Sequence, residues 1–258
     1  MSSRQMSVAG TFYPNSCHDI QATIQRFDAT QKETIQPAFE PKAIIAPHAG
    51  YVYSGYTANR AYKLIDKSKV RRVVVMGPSH HVYFEGASVA LFDTYATPCA
   101  CMPIDIAFSK TLIRKHEVLG FNASIHKEHS TETQLPFIQH YFPKAEVVEI
   151  VYGDVDYRAL AKVVKEVLDA PKTLLVVSTD LSHFHTLEAA NRVDNICIKG
   201  IEQRDMTHLN GGWEACGLLG VKALISVAEQ TQVIDYRTSY DASGDAKRVV
   251  GYLSVLVG

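Results

Sequence analysis

The sequence predicts an α/β protein of three layers, in which helices cover both faces of one central, mixed but largely parallel sheet. Three observations carry this reading. Short apolar runs rich in Val and Ile recur along the chain, as expected of strands buried on both faces. Helical patterns alternate with them, as crossover connections require. Three of the runs also end in polar clusters that hold histidine: Lys42-Ala43-Ile44-Ile45-Ala46-Pro47-His48, Arg72-Val73-Val74-Val75-Met76-Gly77-Pro78-Ser79-His80-His81, and Thr173-Leu174-Leu175-Val176-Val177-Ser178-Thr179-Asp180-Leu181-Ser182-His183. Ligand crevices lie beyond the carboxyl ends of parallel strands, so the three clusters are expected to line one crevice.

The elements follow in order. After Thr11-Phe12-Tyr13-Pro14, the spacing of Ile20, Ile24 and Phe27 behind the cap candidates Asn15 and Ser16 predicts a helix from Asn15 to about Gln31. The first histidine-tipped strand comes next. Tyr56, Ala58, Ala61, Tyr62, Leu64 and Ile65 predict a helix from Ser54 to about Asp66, crossing right-handed to the second histidine-tipped strand. A further strand is expected over Ala87 to Phe92, and Pro103 suits the first turn of a helix through His116, where its missing N–H costs nothing. Ala145 to Tyr152 reads as a strand, and Val155 to Leu168 as a helix ended by Pro171. The third histidine-tipped strand precedes helical patterns from Leu187 to about Gln203 and from Gly217 to about Gln230. Two closing strands, Val233 to Tyr240 and Lys247 to Leu256, flank Asp241-Ala242-Ser243-Gly244-Asp245, which has the composition of a hairpin turn.

The 258 residues suit a single domain over residues 1–258, with no internal repeat or low-complexity tract. A formal net charge of −1 removes any bulk electrostatic reason to bind nucleic acid or an anionic membrane. A small-molecule substrate or a peptide or protein partner is the remaining expectation. The first ten residues lack the apolar core of a signal peptide and no stretch is long enough to span a bilayer, so a cytoplasmic location is expected. Five cysteines, Cys17, Cys99, Cys101, Cys197 and Cys216, form no C-x-x-C spacing and are expected to be free thiols. Cys99-Ala100-Cys101 supplies only half a metal site.

Eleven histidines make any single one uninformative, but three at strand ends point to metal ligation or proton transfer. In Pro47-His48-Ala49-Gly50-Tyr51 the small residues after His48 let the backbone turn tightly under the imidazole. Of the neighbours His80 and His81, only one is expected to face the crevice. Asp180 and His183 are three apart, which places them together if the chain turns helically. They then form either a general base with its orienting carboxylate or a helix cap beside a surface histidine. Glu128-His129-Ser130-Thr131-Glu132 looks like a helix start capped by Ser130, with a supporting role for His129 or Glu132 as the competing reading. Cys216 lies in the glycine-rich Asn210-Gly211-Gly212-Trp213-Glu214-Ala215-Cys216-Gly217, at an expected helix start whose dipole favours thiolate; a buried small residue is the plainer alternative.

Taken in order, Ala9-Gly10-Thr11-Phe12-Tyr13-Pro14, Ala46-Pro47-His48-Ala49-Gly50-Tyr51, Gly77-Pro78-Ser79-His80-His81, Glu128-His129-Ser130 with Glu132 and Leu135-Pro136, Ser178 to His183, and Cys216-Gly217 resemble the Memo family. That family is similar in fold to the class III extradiol ring-cleaving dioxygenases, which hold non-haem Fe(II) with two His and one Glu. The resemblance implies that His48 and His80 occupy the histidine-ligand positions and Cys216 the place of the carboxylate. It likewise implies His183 at the acid/base position, with Asp180 beside it. A set of two His and one Cys is softer than one with a carboxylate and shifts preference toward copper or zinc while still admitting iron. Ring cleavage therefore does not follow from the likeness.

The expectation is a metal-binding, redox-active protein with a dioxygenase-like crevice, taking iron or copper and admitting zinc, with no substrate named. The alternative is a non-enzymatic protein whose relic pocket binds a peptide or protein, with Tyr51, Tyr53 and Trp213 as exposed anchors. A hydrolase is disfavoured. The chain lacks G-x-S-x-G, and Ser79 beside His80 in sequence does not make a nucleophile and base in space.

Overall fold

The computed structural model describes residues 2–31, 35–211 and 214–258. Its strands are β1 (Ser3–Arg4), β2 (Ala43–Ala46), β3 (Arg72–Pro78), β4 (Ala87–Val89), β5 (Thr94–Tyr95), β6 (Met102–Pro103), β7 (Leu119–Gly120), β8 (Glu146–Tyr152), β9 (Thr173–Ser178), β10 (His183–His185), β11 (Thr231–Thr238) and β12 (Val249–Val257). The main sheet runs β10-β12-β2-β9-β3-β8-β4-β7, with β11 on the other side of β12. Strands β2, β9, β3 and β8 are mutually parallel, while β12 and β4 join them antiparallel. The ends of β2, β9 and β3, with His48, Asp180 and His80 just beyond them, therefore share one sheet edge.

Alternation along each strand divides the core in two. Ala43, Ile45, Val74, Met76, Leu175 and Val177 face one way, and Ile44, Ala46, Val73, Val75, Leu174 and Val176 the other. Each set is covered by helices. The first meets α6 (Tyr157–Asp169), α7 (Leu187–Gln203) and α9 (Leu218–Ile225) through residues such as Val163, Ile201 and Val221. The second meets α1 (Cys17–Thr30), α2 (Tyr56–Tyr62) and α5 (Leu135–Tyr141) through Ile24, Ala61 and Phe137. This is the expected three-layer αβα arrangement. The remaining helices are α3 (Ile106–Lys115), α4 (His129–Glu132), α8 (Met206–Asn210) and α10 (Tyr240–Ser243).

Several boundaries depart from the sequence reading for local reasons. A π-helical turn over Tyr51–Gly55 precedes α2, where a continuous helix from Ser54 was expected. The strand expected to reach Phe92 ends at Val89. Pro103 belongs to β6, the edge strand beside β5 in the small β1-β5-β6 sheet, so a missing N–H is tolerated there; α3 begins later, with the Asp105 side chain accepting from Phe108 N. The turn expected at residues 241–245 overlaps α10, which starts at Tyr240 and is closed by Gly244 at φ +70°. Helix α9 stops at Ile225.

The cysteine expectation is also corrected. Cys17, at the start of α1, forms a disulfide with Cys99 in the loop between β5 and β6, while Cys101, Cys197 and Cys216 are free. The partners are 82 residues apart, so spacing along the chain holds no trace of the pairing.

Candidate metal centre

His48 leaves the end of β2 in the turn set by Pro47 and is almost fully buried. Its Nδ1 lies 2.9 Å from Ser178 Oγ at the end of β9. Ser178 is in turn held by Gln134, whose Nε2 donates to Ser178 Oγ and Pro47 O while its Oε1 accepts from Tyr62. With Nδ1–H donating to Ser178, the Nε2 lone pair of His48 is directed toward Cys216, whose Sγ is 3.3 Å away. Burial, and after it the neighbouring imidazoles of His80 and His129, hold the His48 pKa well below its ordinary value. The ring is therefore neutral, the form that binds metals.

His80 follows β3. Its Nδ1 is 3.0 Å from Glu128 Oε1, and its backbone N–H donates to Glu128 Oε2 at 2.6 Å. Burial works against ionisation of Glu128, but hydrogen bonds from His129, His80 and Ser130 outweigh it and hold the carboxyl far below its usual range. A carboxylate only accepts, so His80 presents Nδ1–H to it, which places the lone pair of the metal-binding neutral form on Nε2. Close approach of α4 to β3 makes this possible. A Cβ at Gly77 would lie 2.5 Å from Ser130 Oγ, so a larger residue there would push the Glu128 segment away. Helix α4 is capped by Glu128, whose side chain accepts from Ser130 N, rather than by Ser130 as expected.

Cys216 arrives from the distant segment before α9. Gly217, which caps α9, donates its N–H to Thr179 Oγ1 at 2.9 Å, and its carbonyl accepts from Tyr152. The fit is close: a Cβ at Gly217 would lie 2.6 Å from both Ser178 O and Thr179 Cβ. The Cys216 sulfur accepts from Asp180 N at 3.3 Å. Of the two readings of Cys216, thiolate at a helix start or buried small residue, the environment works against the thiolate. Burial, followed by the Asp180 carboxyl, pushes the thiol up to about 12. The donor atoms of His48, His80 and Cys216 all lie within 4.8 Å of one another. Two imidazoles braced from behind and a thiol that can lose its proton are a donor set suited to a transition metal.

Of the two sequence readings of Asp180 and His183, the structure sets aside the helix cap. Residues 179–182 are not helical, and Asp180 caps no helix. Its carboxylate accepts the His48 backbone N–H at 2.8 Å, holding the turn that carries His48. Burial raises its pKa in spite of that bond. His183 starts β10, which bulges against β12, and Phe184 takes φ +63° and stands exposed beneath Arg248.

His183 and Asp180 line a cavity of about 450 Å³ together with Phe12, Tyr53, His129 and Arg248. His80 and Cys216 line a second cavity, of about 340 Å³, with His81 and Tyr83. The three strand-end histidines thus share the sheet edge but not one cavity, because His48 lies behind the His80 and His129 rings, whose centroids are 4.4 Å apart. Tyr51, expected as an exposed anchor, is buried and stacked on Phe137. Tyr53 is exposed, and Trp213 lies outside the described residues.

Glu128, Gln134 and Ser178 were not singled out from sequence. The available signal was a carboxylate directly preceding His129, which Ser130's resemblance to a helix cap obscured. Glu132, weighed as a supporting residue, is buried elsewhere, bonded to Arg4, Ser7, Val8 and Tyr13. Among the described residues, no helix is long and apolar enough to cross a membrane.

The Memo-like protein family model matches residues 4–256 of the chain. A MEMO1 family protein of Aquifex aeolicus is 33% identical, with 98% of each chain covered. Similar proteins of the same description occur in Methanobrevibacter smithii, 31% identical over 97% of this chain and 98% of the relative, and in Methanocaldococcus jannaschii, 31% identical over 98% of each.

Proposed function

The chain belongs to the Memo family, and from the geometry of its strand-end cluster we propose that it binds a transition metal through His48, His80 and Cys216 and acts on a small molecule in the adjoining cavity. One observation carries the reading: three donor atoms, brought from positions 48, 80 and 216, lie within 4.8 Å of one another. The bracing of both imidazoles by Ser178 and Glu128 supports it, since orienting partners of this kind commonly accompany metal-bound histidines. Two nitrogens and a sulfur favour copper or zinc and admit iron; bound there, copper or iron would supply one-electron redox chemistry, and zinc Lewis acidity.

The protein's own residues have separable tasks. Asp180 fixes the His48 turn through its backbone N–H. His183, on the wall of the larger cavity, is the group suited to exchange a proton with a bound molecule. Phe12, Tyr53 and Tyr252 give that cavity apolar walls, and Arg248 gives it a cation. The test is equilibrium titration of tag-free protein with Cu(I), Fe(II) and Zn(II) under reducing, anaerobic conditions, in wild type and Cys216→Ser. Much weaker binding in the variant is expected. Equal affinity of both proteins for all three metals would remove Cys216 from the ligand set.

A second reading, a protein that docks a peptide over the same edge, is favoured by one observation. The loops around the cluster expose Val52 (81%), Tyr83 (83%) and Phe184 (63%), apolar anchors of the type used at interfaces. Metal binding that leaves every redox assay silent, together with peptide binding lost on Tyr83→Ser, would favour it.

A further inference from the structure

We propose that the larger cavity takes an elongated monocarboxylate, with its carboxylate on Arg248 and its apolar body lying along β12 toward Asp180; this rests on the reading of that cavity as the small-molecule site. Strand alternation sets the layout. Arg248, Val250 and Tyr252 are two residues apart and all line the cavity, while Val249 and Leu253, on the opposite phase, are fully buried. Four residue steps separate Arg248 from Tyr252, ~13 Å along a strand. His183 pairs with Val250 and so stands beside the middle of this stripe. Burial, and after it the Asp180 carboxyl, raises the pKa of Tyr252, which marks that end of the stripe as the one near Asp180. The cavity therefore has a cation at one end, Asp180 at the other, and aromatic walls from Phe12, Tyr53 and Tyr252.

Arg248 is poised for an anion. Among the described residues it has no ion-pair or hydrogen-bond partner, and its guanidinium lies over the Phe184 ring, 4.9 Å from the centroid. A guanidinium over a ring keeps its in-plane N–H donors for a planar, two-oxygen acceptor such as a carboxylate. Phe184 reaches that place through a backbone φ of +63°, a left-handed conformation that a bulky residue seldom adopts. Asp245 lines the same cavity, one of its oxygens accepting the Lys247 backbone N–H at 2.9 Å. Its negative charge opposes excess charge on a ligand nearby, which selects a monoanion over a phosphate dianion. The aromatic walls in turn reward an apolar body, since a bare anion has no surface to bury against them.

The probe is octanoate, compared with 1-octanol and octyl phosphate by calorimetric titration of the full-length, tag-free protein as purified. Octanoate is expected to bind saturably, ~10-fold or more tighter than 1-octanol, the margin that a charge-assisted pair supplies. It should also bind more tightly than octyl phosphate. Arg248→Gln, a change at an exposed side chain, should bring octanoate down to the affinity of 1-octanol. Tyr53→Ala, also at an exposed position, should weaken octanoate and 1-octanol alike. Absence of saturable octanoate binding, octanoate no tighter than 1-octanol, octyl phosphate tighter than octanoate, or octanoate affinity unchanged in Arg248→Gln overturns the proposal. In the event of such a result, probes that still weaken in Tyr53→Ala would keep the cavity as a small-molecule site without the carboxylate, whereas probes indifferent to Tyr53 would remove the cavity reading as well.

Discussion

Glu128 grips His80 at two points, accepting the ring Nδ1–H on one oxygen and the backbone N–H on the other. One side chain therefore fixes both the loop after β3 and the tautomer of the ring it carries. Glu128→Gln presents an amide that cannot accept at both points, so metal bound with His80 as a ligand is expected to weaken by ~10–100-fold. Competition titration against a chelator of known affinity measures it. Unchanged affinity would mean that Glu128 does not orient the ring.

Metal binding should release a proton from Cys216. The thiol is pushed up to about 12 and is protonated at neutral pH, whereas burial and its neighbours already hold His48 neutral. Between about pH 7 and 9, affinity is expected to rise about tenfold per pH unit, the slope for one displaced proton. In Cys216→Ser the slope should flatten. A wild-type affinity independent of pH would show that no thiol proton is lost.

Gly217→Ala tests how Cys216 is placed. The new methyl would meet Ser178 O and Thr179 Cβ at 2.6 Å, backbone and branched atoms that cannot swing aside. A loss of ~1–3 kcal/mol in urea unfolding is expected. Weaker metal binding should accompany it, because the adjacent sulfur moves with the segment. Wild-type stability in this variant would indicate that α9 shifts freely relative to β9.

Acid should destabilise the fold through its buried carboxylates. Burial alone would raise the pKa of Glu132, but Arg4 and the bonds from Ser7 and Val8 bring it below the ordinary value. A depressed folded-state pKa contributes stability that is present above the unfolded value, near 4.5, and lost as pH falls through the folded one. Arg4→Met leaves Glu132 buried without its cation and is expected to cost ~3–5 kcal/mol at pH 7. The cost should shrink at about pH 4, where protonation relieves the unpaired charge. Urea unfolding at the two pH values decides it, and an equal cost at both would discount the ion pair.

The long central strands and the residues at their tips were legible in the sequence, because β-branched runs and the turns after them are written in adjacent residues, whereas the short strands β1, β5, β6, β7 and β10 were not. Ile44 and Ile45 announce a strand wherever they fold, and Pro47-His48-Ala49-Gly50 announces the turn beyond it. The nomination of His48, His80 and Cys216 as one set came from the resemblance to a family, since nothing in the spacing of 48, 80 and 216 encodes their meeting. Tertiary structure alone decided the rest. Cys17 and Cys99 pair because α1 packs beside the loop between β5 and β6; Asp180 braces the His48 turn because β9 lies beside β2; and Cys216 is a half-buried thiol with a raised pKa because Gly217 lets α9 close over the end of β9. Each of these depends on a distance between residues far apart in the chain and on how much water packing leaves between them. Local pattern carries neither quantity.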